Sequence, residues 1–271
     1  MKPLWLVCAV GAAAATFTFA TGDAAAETST TQPIVKDAVE AAAKTDKVGV
    51  SVKGVIKFKG EHKPLPPLSI GKDASTGCGE VPMEDRSLLV DGNGGIANVV
   101  VSLKAKDFKV QIPKEPVVID QRGCRFEPHV MAVPAGTTLR FLNSDGTNHN
   151  IHTYAKKNQN KNNNVSGGQN LDHKVDQAEV FEVKCDIHPW MKGYVFVTKD
   201  THFAVTNVAG EFELKGVPDG AYKLSLWHET MGKAKTKEVT VKNGTIAEIT
   251  HEWEKAAKGK GKGKRGGRRK R

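Results

Sequence analysis

Three residues spaced Cys185-x-x-His188-x-x-Met191 put a thiol, an imidazole and a thioether within one seven-residue stretch. They sit in FEVKCDIHPWMKGYVFV, Phe181 to Val197, between two runs that alternate apolar and polar side chains as half-buried strands do. A strand, a short loop and a second strand carrying soft or borderline donors read as a metal loop. Mg²⁺ and Ca²⁺ demand oxygen, and a thioether is a poor ligand for structural zinc, whereas copper suits all three donors. A blue-copper centre needs one more imidazole, to complete a trigonal plane of two His and one Cys with a weak axial Met. The plainer alternative is a Cys that is a small buried hydrophobe and a Met that fills core.

Upstream, Phe141-Leu-Asn-Ser-Asp-Gly-Thr-Asn-His149-Asn150-Ile-His152 is an apolar strand, a turn rich in Asn, Asp and Gly, and then two histidines. With these residues in view, the stretch from about Cys124 to Val197 resembles a cupredoxin, and its ligand loop resembles that of amicyanin. That family carries Cys-x-x-His-Pro-aromatic-Met-basic-Gly, matched by Cys185 to Gly193 here, and His-Asn after the earlier strand, matched by His149-Asn150. The resemblance implies one type 1 copper ion held by His149, Cys185 and His188 in plane and Met191 on the axis. It also implies that Asn150 steadies the loop by hydrogen bonding near Asp186. His149 and His152, three apart, face opposite sides of an extended strand, so only one can meet Cys185. The His-Asn pairing selects His149 and leaves His152 a surface histidine or one that supports the ligands. Phe126-x-Pro128, followed by alternating apolar residues, extends the resemblance backward. His129 and Met131 fall there, but four ligands are already assigned, and His129 is expected to be hydrogen-bonded or exposed.

The resemblance implies a one-electron carrier with His188, flanked by Pro189 and Trp190, as the exposed gateway to a redox partner protein. An oxidase or reductase is the contrasting class. Lys184 and Asp186 flank the Cys where a multicopper oxidase has His-Cys-His, no His-x-His pair occurs, and the loop lacks the second Cys of a binuclear site. The remaining alternative is a non-redox module that stores copper, or a structural cupredoxin that keeps its ligands.

The rest of the chain must position this loop. Its 271 residues, 39% hydrophobic, suffice for two modest domains. Residues 1–26 read as a secretory signal peptide: Lys2, an apolar run from Leu4 to Ala20, and Ala24-Ala25-Ala26 as the cleavage site. This predicts a periplasmic or secreted protein, and no later stretch approaches the ~20 apolar residues of a membrane span. Residues 27–47 read as a linker with a short helix around Val35 to Lys44. From Val48 the pattern is alternating, and 48–115 reads as β structure, 116–199 as the cupredoxin unit. Residues 200–253 show short strands between Asn/Gly and Pro-Asp-Gly turns, and resemble a carboxypeptidase-regulatory-like, or prealbumin-like, module. That segment is short for a sandwich, so 48–115 is expected to complete it around an inserted cupredoxin. The expected class is all-β, a Greek-key cupredoxin sandwich plus a second antiparallel sandwich.

Removing the signal leaves Cys78, Cys124 and Cys185. With Cys185 on copper, Cys78 and Cys124 are left to pair as a disulfide, or remain two free thiols. Lys156 to Asn170, rich in Asn with no apolar rhythm, reads as a surface loop, either solvated or a recognition site. The last 17 residues carry ten Lys or Arg and no acid, which equals the whole formal net charge of +10. Residues 254–271 therefore read as a disordered basic tail, for an anionic envelope surface rather than nucleic acid, or simply for solubility.

Overall fold

The structure, a computed structural model, describes residues 50–68, 70, 78, 83–105, 108–234, 237–242 and 248–253. The expected signal peptide, linker and basic tail lie outside these residues. Every regular element among the described residues is a strand, so the chain is all-β. No helix among them is long and apolar enough to cross a membrane.

Two strands come first, β1 (Val50–Phe58) and β2 (Val100–Leu103). Nine follow in close order: β3 (Val117–Gln121), β4 (Phe126–Glu127), β5 (Val130–Pro134), β6 (Thr137–Asn143), β7 (His149–Thr153), β8 (Asn162–Val165), β9 (Asn170–Val175), β10 (Glu179–Lys184) and β11 (Lys192–Thr198). These nine form two sheets, β4-β3-β6-β9 and β5-β11-β10-β7-β8, packed face to face in a cupredoxin-like arrangement. The alternation in TTLRFLN of β6 turns Leu139 and Phe141 inward, where with Ile119 they meet Ile151, Phe181, Val183 and Val195 of the other sheet.

The remaining strands are β12 (His202–Val205), β13 (Glu211–Val217), β14 (Gly220–His228), β15 (Gly232–Lys233), β16 (Lys237–Val241) and β17 (Glu248–Trp253). β1 lies between β13 and β17, and β2 lies between β12 and β14, so segments from both sides of the nine-strand unit share each sheet. Val52, Ile56, Val101, Leu103, Leu214 and Leu224 make the core of this second sandwich.

β5 is buried along its whole length because it has two apolar faces to cover. Met131 and Val133 point into the first core, while Val130 and Ala132 point outward onto Val100 and Phe203. Trp227 of β14 closes this junction, with its ring 5.6 Å from Tyr194 and 5.8 Å from Phe196 of β11.

The 156–170 segment differs from the expected continuous loop. β8 runs through its middle and pairs antiparallel with β7, from His149↔Val165 to His152↔Asn162. Asn162, Asn163 and Asn164 are all exposed and only Val165 is buried, so backbone pairing makes this edge strand and there is no side-chain alternation to read. Glu179 pins the loop before it: its carboxylate accepts the amides of Lys156, Lys157 and Asn158 at 2.8, 2.9 and 2.6 Å.

Cys78 and Cys124 are disulfide-bonded, 46 residues apart in sequence and 5.0 Å apart at Cα. Replacing both with serine opens a loop whose closure is worth about 4 kcal/mol in the chain-entropy model; denaturant unfolding of C78S/C124S is expected to show a loss of that order. Burial opposes ionisation of Glu179, but the three amides and the Asn158 side chain outweigh it and hold its pKa below the ordinary value. Its contribution is therefore present above the ordinary carboxylate range and lost as pH falls through the lowered native value. Amide exchange at 156–158 should accelerate in Glu179→Gln at neutral pH, and in wild type only in acid.

Candidate metal centre

The end of β10, the start of β7 and the 185–191 loop meet at one end of the first sandwich. Cys185 is buried and is the free cysteine among the described residues. Its Sγ lies 3.9 Å from His149 Nδ1 and 3.8 Å from His188 Nδ1, and the two nitrogens are 2.9 Å apart. Two backbone amides, of Asn150 at 3.5 Å and of His188 at 3.4 Å, donate to the sulfur. The loop is closed by its own backbone: Met191 N–H donates to the His188 carbonyl at 2.8 Å, and the Met191 carbonyl accepts from Cys185 N–H at 3.1 Å. Met191 itself is buried. Gly193, just beyond, has no room for a side chain without displacing neighbours: a Cβ there would lie 3.1 Å from both the His129 carbonyl and Phe126 Cβ.

The His149 tautomer is set from behind. Its Nε2–H donates to Asp145 at 2.8 Å, which leaves the Nδ1 lone pair facing Cys185 and His188. Asp145 is held in turn by the amides of Gly123 and Cys124, at 2.6 and 2.9 Å. Both residues have left-handed φ, 58° and 51°, which turns consecutive N–H groups toward one acceptor. Nothing in the sequence singled out Asp145; its position four residues before His149 reads only as turn composition. Burial first, and His149 second, push the His188 imidazole below its ordinary pKa, with Asp145 opposing.

Asn150 reaches Asp186 from two directions, accepting its backbone N–H at 2.5 Å and donating to its carboxylate at 3.1 Å. His152 points to the other side of β7, where its Nδ1 meets the Asp186 carboxylate at 2.9 Å and its ring stacks on Tyr154. The hydrogen bond from His152 leads in holding the Asp186 carboxyl below its usual range. His129 is buried and hydrogen-bonded through Nε2 to Glu229, remote in sequence and unsignalled by any motif.

A metal at about 2.0 Å from nitrogen and 2.3 Å from sulfur sets trigonal S and N donors a little under 4 Å apart. The two sulfur–nitrogen edges fit this, and the nitrogen–nitrogen edge, 2.9 Å, must widen by roughly 0.6 Å. The disulfide sulfurs also lie within 4.8 Å of a His188 nitrogen. Bonded to each other they offer no thiolate, so Cys185 supplies the soft donor. Thiolate, two imidazoles and a buried loop thioether are a donor set that fits copper.

Residues 114–198 match the family of copper binding proteins, plastocyanin/azurin family, and that span includes His149, Cys185, His188 and Met191. No curated protein matches the chain. Among solved structures, a purple cupredoxin from Nitrosopumilus maritimus is 27% identical over 27% of this chain and 81% of its own, at a TM-score of 0.25. A point mutant of amicyanin in its oxidized state is 20% identical over 36% of this chain and 98% of its own, at 0.29. A Cu-containing nitrite reductase from Thermus scotoductus SA-01 is 21% identical over 36% of this chain, which spans only 25% of that enzyme, at 0.30.

Asp145→Asn keeps the size of the side chain but lets an amide donate to His149 Nε2, favouring the tautomer whose Nδ1 carries the proton. Cu(II) affinity, measured by competition titration, is expected to fall about 10–100-fold, the usual effect of losing such a partner.

Proposed function

We propose that this chain binds one type 1 copper ion through His149, Cys185 and His188, with Met191 on the axis, and carries single electrons to and from a partner protein. One observation supports this most: a buried Sγ already stands 3.8–3.9 Å from two imidazole nitrogens, one of them oriented by Asp145 behind its ring. Copper supplies a Cu(I)/Cu(II) couple there. The chain's contribution is to keep the donors in one arrangement for both states, by the amides on the sulfur, by Asp145 behind His149 and by the closed 185–191 loop. His188 is half-buried, with Ile187 and Pro189 exposed beside it, which suits an apolar docking surface around the imidazole. We read the chain as a carrier rather than an enzyme, exported by its Ala-rich leader, with a basic tail for anionic envelope surfaces. In this reading the second sandwich is a carboxypeptidase-regulatory-like module that holds the copper unit at its junction.

The test is absorption after copper addition. A strong visible thiolate-to-copper band is expected, and Cys185→Ser should fold yet stay colourless because a hydroxyl cannot replace the soft thiolate. Film voltammetry then addresses the axis: Met191→Gln should lower the reduction potential and Met191→Leu raise it, both retaining copper. Bound copper without a visible band supports storage instead, and potentials unmoved in both variants remove Met191 from the ligand set.

A further inference from the structure

The Cys78–Cys124 disulfide does not stand apart from the 185–191 loop: both of its sulfurs lie within 4.8 Å of a His188 nitrogen. Both cysteines are buried in the same core as Cys185 and Met191. A disulfide offers a metal little, but the same pair before oxidation is two thiols, and the thiolates they form are strong soft ligands. We propose that Cys78 and Cys124, in the reduced chain, form with His188 a second metal site, suited to Cu(I), which closing of the disulfide abolishes.

The fold holds these donors near one another without the sulfur–sulfur bond. Cys124 is kept in place by its amide, which donates to Asp145 at 2.9 Å. The segment that carries Cys78 is closed at its base by the bridge between Leu68 and Met83, where Leu68 N–H donates to the Met83 carbonyl at 2.8 Å. Two thiolates and one imidazole are a three-donor soft set, which favours Cu(I) over Zn²⁺, a metal that takes four ligands in closed sites. An Asp145 oxygen also lies within 4.8 Å of the Cys124 sulfur. It is engaged by the amides of Gly123 and Cys124 and by His149 Nε2–H, and a carboxylate is a poor ligand for Cu(I). Closure is a thiol–disulfide exchange: the two thiolates give two electrons to an incoming disulfide, which leaves as two thiolates, and Cu(I) is released without changing its own oxidation state. Burial shields the closed bond from dithiols, so the reduced state belongs to the chain before it is oxidised.

This site does not depend on the type 1 reading, and its test leaves Cys185 out. Of the four cysteines, Cys8→Ser and Cys185→Ser leave only 78 and 124. The full chain C8S/C185S is reduced in denaturant, refolded without oxygen and titrated with Cu(I) against a chromophoric chelator strong enough to strip sites that lack a thiolate, with folding followed by circular dichroism. The refolded reduced chain should hold one Cu(I), and that binding should be lost on oxidation to the disulfide and in C8S/C124S/C185S, and weakened by His188→Ala. Equal retention by reduced and oxidised chains overturns the proposal, and unchanged binding in His188→Ala overturns the place of His188. Binding as tight in denaturant as in the refolded chain also overturns it, because the site is assembled by the fold. So does a reduced chain that stays unfolded with Cu(I) present, because a metal that binds only the native state stabilises it.

Discussion

The carboxylate of Asp145 ties together three parts of the chain. It accepts the amides of Gly123 and Cys124 on the β3–β4 turn, and the Nε2–H of His149 at the start of β7. Its own amide donates to Asn143 at the end of β6. One charged side chain thus fixes the turn bearing the disulfide, the turn leading to β7, and the tautomer of His149. Charge-assisted hydrogen bonds are about twice as strong as neutral ones, and this one is mostly shielded from water. Cys124 can hold its left-handed φ because the surroundings over-determine it: an amide bonded to Asp145 and a side chain bonded to Cys78.

The 185–191 loop was legible because flanking strands with alternating side chains must face a core, and its spacing put Cys185 and His188 where the structure brings them beside His149. Strand alternation also exposed the class of the fold, since β6, β10 and β13 each cover one side only. What was illegible was whatever backbone pairing or distant charge decided. β8 carries three consecutive exposed asparagines, so its strand character comes from β7 alone. β5 has five buried residues in a row, which alternation cannot explain until both sandwiches are present. His129 was ambiguous for the same reason, since its partner Glu229 lies a hundred residues away in sequence.

That partner lies at the junction. The Glu229 side chain, only 1% exposed, faces His129 and Lys192 at once, reaching from the turn after β14 to the base of the metal loop. Burial, and after it the Glu229 charge, push the Tyr194 phenol well above its ordinary pKa. Desolvating such groups opposes association, and the ion pairs offset that cost without a large surplus. The apolar packing of Trp227 on Tyr194 and Phe196 is the better source of affinity between the layers. The charges contribute geometry, because only one docking angle satisfies both His129 and Lys192, and Lys192 follows Met191 directly.

The antiparallel pairing of β2 with β12, Val100↔Val205 to Leu103↔His202, has a consequence for the order in which the protein assembles. The whole nine-strand unit is, in topological terms, the loop of a hairpin. A flexible loop of that length closes at an entropic cost that rises only slowly with its size, but one that has already folded brings its two ends to a fixed separation. During synthesis β1 and β2 emerge first, and the strands that flank them in their sheets, β12, β13, β14 and β17, follow only later. The inner unit, complete once β11 is made, can fold while the outer sandwich is still two unjoined halves. The outer sandwich is then a clasp that closes last, and Glu229 and Trp227, on the closing half, arrive at a metal loop that is already shaped.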